Sequence, residues 1–68
     1  MIYVIKEQVN GWYFSKFPSK GESAKFTTDI NGAIFCYSER EANIFINEYH
    51  LQNCKPVKAK ILKVEEEK

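Results

Sequence analysis

Ser38-Glu39-Arg40-Glu41-Ala42-Asn43-Ile44-Phe45-Ile46-Asn47-Glu48-Tyr49-His50-Leu51 is the stretch that decides the fold. It opens with a capping box: a serine hydroxyl accepts from one backbone N–H of the first turn, and the glutamate three residues on reaches back to another. Tyr37, just before the cap, is placed to staple onto Ala42. Ala42, Phe45, Ile46 and Tyr49 then recur at helical spacing, one apolar face of an amphipathic helix. Asn43, Asn47, Glu48 and His50 fall on the other side. The pattern predicts a helix from Glu39 to about Leu51, ended by Gln52-Asn53, with Pro56 blocking any continuation.

On the N-terminal side, residues 2–9 (Ile-Tyr-Val-Ile-Lys-Glu-Gln-Val) are rich in the β-branched and aromatic types of strands. Asn10-Gly11 follows, the strongest short-range hairpin signal, because both residues tolerate positive φ. Trp12-Tyr13-Phe14-Ser15-Lys16-Phe17 forms the returning strand, ended by Pro18. A two-residue turn pairs Val9 with Trp12 and Glu7 with Phe14. One face then carries Tyr3, Ile5, Val9, Trp12 and Phe14, and the other Ile2, Val4, Tyr13 and Phe17. Neither face is polar, so one packs on the helix and the other is covered by the following loop, a second copy or a partner.

Ser19 to Thr28 reads as a long polar surface loop whose Phe26 tucks back onto the body. Asp29 to Tyr37 has two readings: a short strand over 33–37, or a helical turn over 29–33, capped by Thr28 or Asp29 and followed by extended chain. The second is the preferred expectation. Val57-Lys58-Ala59-Lys60-Ile61, extended by Leu62-Lys63-Val64, alternates apolar with basic and predicts a last strand with a row of lysines. Lysines of this kind also discourage edge-to-edge pairing. The expected architecture is α+β: a β-hairpin, one amphipathic helix and a C-terminal strand (β-β-α-β) form a small, mainly antiparallel sheet with the helix on one face. Residues 1–64 are expected to form one domain, and Glu65-Glu66-Glu67-Lys68 a solvated acidic tail.

Sixty-eight residues leave a thin margin of stability. Five Phe, four Tyr and one Trp compensate, since each buried ring removes roughly 150–250 Å² from water. The net charge of +1 conceals a division. The last four residues carry −2 and the rest +3, mildly basic and short of a dedicated nucleic-acid binder. Met1 runs straight into Ile2-Tyr3-Val4-Ile5 with no basic leader or long apolar run, so a cytoplasmic chain with reduced thiols is expected.

Catalysis finds little support. His50 is the sole histidine and reads as a surface residue favoured by the helix dipole. Cys36 and Cys54 read as small buried hydrophobes, with no Cys–His companion to activate either. Asp29, Glu7 and Glu22 are scattered, so no carboxylate pair can be argued. No glycine-rich phosphate loop occurs. No zinc-type cysteine spacing or other ligand cluster is present, so no metal or cofactor is expected. The hairpin aromatics are more notable. Trp12, Tyr13, Phe14 and Phe17 lie beside Lys16, with Lys20 and Lys25 in the following loop. The plain reading is that these rings are core. The alternatives are a protein-contact surface and a platform that stacks single-stranded bases. Lys55, Lys58, Lys60 and Lys63 form a second basic row, read plainly as a solvated edge strand.

Phe26-Thr27-Thr28-Asp29, Ala33, Phe35, Ser38-Glu39-Arg40-Glu41-Ala42 and Phe45 together resemble a pattern in small accessory proteins of bacteriophages and prophages of Gram-positive bacteria. Those proteins open with a strand similar to Tyr3-Val4-Ile5-Lys6 and close with a lysine-rich strand similar to Val57 to Val64. Cys36 lies outside the pattern. The resemblance covers most of the chain and contains no catalytic motif. It implies a phage accessory product that binds and redirects a bacterial or phage protein.

The expected function is therefore a non-enzymatic interaction module that binds another protein. Trp12, Tyr13, Lys16, Lys20, Glu22 and Lys25 are the candidate contact residues. A single-strand nucleic-acid binder using Tyr13, Phe17, Lys16, Lys20 and Lys25 is the second expectation. A homo-oligomer that buries its second sheet face by symmetry is the third.

Overall fold

The computed structural model describes residues 2–59. The expected continuation of the last strand to Val64 and the acidic tail 65–68 lie outside the described residues, as do Lys60 and Lys63. Four strands, β1 (Ile2–Glu7), β2 (Tyr13–Lys16), β3 (Lys25–Thr27) and β4 (Cys54–Ala59), form one antiparallel sheet in the order β3-β2-β1-β4. One helix, α1 (Glu39–Glu48), packs on one face. The α+β architecture expected from the sequence is present, with β3 added inside the stretch expected to be loop. Only Lys25-Phe26-Thr27 joins the sheet there, too short a run to show a period of two. Phe26 does tuck in, its ring 5.8 Å from that of Phe14.

The hairpin closes differently from a two-residue turn. Lys6 pairs with Tyr13, and the Glu7 N–H donates to the Trp12 carbonyl at 2.7 Å, leaving Gln8 to Gly11 as a four-residue loop. The Glu7 carboxylate causes this, accepting from the Asn10 N–H at 2.8 Å and the Val9 N–H at 3.3 Å. Gly11, at φ +77°, donates to the Glu7 carbonyl at 2.8 Å, and Gln8 ties the loop to the Asn53 carbonyl at 2.7 Å. Val9 therefore leaves the sheet face assigned to it and is 70% exposed. A slip of two residues, unlike a slip of one, keeps each side chain on its own face. Ile5 and Phe14 accordingly still share one, and both are fully buried.

A bulge corrects a second expectation. Phe14 pairs with Phe26 but Lys16 with Lys25, so Ser15 is the extra residue. Beyond it the side chains change sides. Phe17, expected beside Tyr13, turns to the helix and packs edge-on against Phe14 (5.3 Å) and Phe45 (5.1 Å). Ile5, Phe14, Cys36 and Ala42 form the centre of the core, with Phe26, Phe45, Ile46 and Leu51 packed around them.

Residues 29–37 form a turn followed by extended chain. Asp29 caps a 3-10 turn over Ile30–Gly32, its carboxylate accepting from the Asn31 N–H at 3.0 Å. The chain then runs beside β1, where Cys36 and Tyr3 exchange both backbone bonds at 2.7 and 2.8 Å. The capping box forms as read: the Glu41 N–H donates to the Ser38 hydroxyl at 3.0 Å. The Glu41 carboxylate accepts from the Tyr37 N–H at 2.8 Å, one residue before the cap. Tyr37 does not staple onto Ala42, being 77% exposed. Cys36 joins Ala42 in the core instead.

The helix stops three residues earlier than expected. Leu51 N–H donates to the Ile46 carbonyl at 3.0 Å and His50 N–H to the Asn47 carbonyl at 3.4 Å. This is a Schellman closure with His50, at φ 52°, in the left-handed position that glycine usually occupies. Without a glycine the sequence carries no stop signal there.

A lysine-flanked sheet face as candidate binding site

Even-numbered residues of β1 point away from α1. The face without the helix therefore carries Ile2, Val4 and Lys6 from β1, with Val57 opposite Val4 and Lys55 opposite Lys6 on β4. Tyr13 stands opposite Lys6 on β2, and Thr27 opposite Tyr13 on β3. Past the bulge, Lys16 and Lys25 face each other on the same side. The face thus has an apolar half around Val4, which is fully buried, and a basic half built around Tyr13.

Lys55, Lys6, Tyr13 and Thr27 make one row across all four strands. Three strand spacings give it a width of roughly 14 Å. Two like-charged pairs, Lys6–Lys55 and Lys16–Lys25, sit directly opposite each other across neighbouring strands. Such pairs oppose sheet formation, in a range where cross-strand interactions are about 0.2–1 kcal/mol each. Lys6 Nζ lies 5.8 Å from the centre of the Tyr13 ring. An exposed contact of this kind contributes about 0.5–1 kcal/mol.

Among the candidate contact residues, Tyr13, Lys16 and Lys25 are brought together on this face. Trp12, bonded into the ladder beside Glu7, falls on the opposite side from Tyr13 and is 44% exposed. This is the division of the two rings that the strand alternation implied. Lys20 and Glu22 belong to a separate tip, where the Glu22 N–H donates to the Ser19 carbonyl at 2.8 Å and Gly21 takes φ +79°. Phe17 is withdrawn to the helix. Lys55 and Lys58, expected in one row, are three residues apart and lie on opposite faces; Lys58 stands opposite Tyr3 on the helix side. Neither Lys6 nor Lys55 was among the expected contact residues, although Lys55 was read as part of the second basic row. Their meeting depends on β4 pairing with β1, which no local signal encodes.

A cleft of about 420 Å³ opens elsewhere, between the hairpin end and the end of α1, lined by Glu7, Pro18, Phe26, His50 and Gln52 among others. Its Glu7 carboxylate is engaged by the hairpin loop. Both cysteines are free thiols. Burial, aided by the nearby Glu41 charge, pushes the Cys36 thiol up from 9.0 to about 11. Cys54 is raised by burial and by Glu7. Both shifts run opposite to the lowered pKa that activates a cysteine nucleophile. No group of three or more His, Cys, Asp or Glu is arranged to hold a metal among the described residues. No described helix is long and apolar enough to cross a membrane.

No protein-family model, curated protein or solved structure matches this chain.

Proposed function

We propose that the protein is a non-enzymatic binding module that meets its partner with the basic half of the helix-free sheet face. The observation that carries this reading is the arrangement of two opposed lysine pairs, Lys6–Lys55 and Lys16–Lys25, around the Tyr13 ring. Like charges held opposite each other weaken a sheet, and an anionic partner converts that repulsion into attraction. The role is also the one implied by the sequence pattern's resemblance to small phage accessory proteins.

The arrangement is less favourable to self-assembly. Stacking this face on a second copy would set lysines against lysines. Pairing along the open edge of β4 meets Pro56, whose position opposite Ile5 turns its missing N–H outward. The other edge, β3, is three residues long.

The test is a capture experiment with the tagged chain and a Lys16→Glu/Lys25→Glu variant, from lysate with and without nuclease. A macromolecule retained by the parent and lost by the folded variant is the expected result. Equal retention by both chains, or none by either, would contradict the reading.

A further inference from the structure

We infer that the partner of this face is a single-stranded nucleic acid, held at its phosphates by Lys6, Lys16, Lys25 and Lys55 and stacked by one base on Tyr13. The inference rests on the binding-module reading above and specifies its partner.

Three observations lead to it. The described strand positions of this face include four lysines and no carboxylate, so its charge complements a polyanion. Tyr13 stands in the row between Lys6 and Thr27, half-buried, with the Lys6 ammonium over its ring at 5.8 Å from the centre. A stacked base gives more than that exposed cation–ring contact, so it displaces the ammonium, which becomes available to a phosphate. The row also spans four strands, roughly 14 Å, wider than the ~12 Å major groove of a duplex, so it cannot enter one to read bases. Single strands are therefore preferred, with little sequence discrimination, because phosphate contacts and stacking carry no base code. An acidic protein partner fits less well. Protein interfaces place apolar anchors at the centre and deplete charge there, whereas here the ring is ringed by lysines.

The experiment is fluorescence anisotropy with labelled oligothymidylate and oligouridylate. Four phosphate contacts predict a slope of log affinity on log salt of about −3, a loss of roughly 50-fold between 50 and 200 mM salt. Lys16→Gln/Lys25→Gln should halve that slope. Tyr13→Ala should weaken binding roughly 5- to 150-fold while leaving the slope unchanged. Tyr13→Leu, which keeps bulk without the π face, carries the same expectation should the alanine variant fail to fold. Lys58→Gln removes a charge from the helix side and should leave affinity unchanged. Absence of binding at low salt, or equal loss from Lys58→Gln and the double variant, overturns the inference. If oligonucleotides do not bind but the charge-reversed variant still loses a captured protein, the binding-module reading stands and its partner is a protein. If both assays are empty, both readings fall.

Discussion

His50 shows how one residue can decide where a helix ends. It holds the left-handed position of the Schellman closure, where a side chain with a Cβ costs about 1–2 kcal/mol. Glycine would relieve that strain and give back about 0.5–1 kcal/mol as entropy of the unfolded chain. His50→Gly is therefore expected to stabilise the fold by roughly 0.5–1 kcal/mol, read from the urea midpoint at unchanged slope. A loss of stability would mean that the imidazole itself holds the helix end. Cys36 gives a second test at this scale. Its thiol keeps its proton up to about pH 11 in the folded chain, against 9.0 when unfolded. Across that window the folded state binds more protons, so this contribution is full below pH 9 and is lost as pH rises toward 11. Cys36→Ala should flatten that part of the alkaline stability profile, measured as the difference from the parent. Parallel profiles would show that the thiol does not sense folding.

At the scale of elements, the helix and its cap were readable because their signals are local. The Ser38 hydroxyl accepts from the Glu41 N–H and the Glu41 carboxylate from the Tyr37 N–H, all within five residues. Ser38→Ala should lower stability by about 1 kcal/mol, measured by chemical denaturation. The hairpin was readable as a hairpin, but its register was not. Asn10-Gly11 signals a turn, while the Glu7 side chain decides how many residues that turn contains. The Ser15 bulge was equally hidden, since it exists only relative to β3. It matters because it moves Phe17 from the sheet face to the helix. Phe17→Ala should cost about 1–2 kcal/mol, below the 3–5 of a fully buried ring and well above a surface change. A cost within 0.5 kcal/mol would place the ring back in solvent.

For the whole molecule, Tyr13, Lys16 and Lys25 were legible as a basic, aromatic hairpin and do share one face. Trp12 and Tyr13 lie on opposite sides of the sheet, as the alternation of the hairpin strand implied. Lys6 and Lys55 complete the site through the pairing of the first and last strands, separated by nearly the whole described chain. Periodicity reports which residues share a face of one strand but not which strands are neighbours. The same topology guards the sheet, with Pro56 on one edge and a three-residue strand on the other. Light scattering at high concentration should therefore give the mass of a single chain; a concentration-dependent dimer would show that these edges do pair.

The central claim is that the lysine-flanked face around Tyr13 is where the partner sits. The most direct measurement is an amide nuclear magnetic resonance titration with an unlabelled oligothymidylate. The account predicts perturbations concentrated on Lys6, Tyr13, Lys16, Lys25, Thr27 and Lys55, with α1 left unshifted. Perturbations centred on the Val9–Trp12 loop or on the helix would contradict it, and none at all would overturn the nucleic-acid partner.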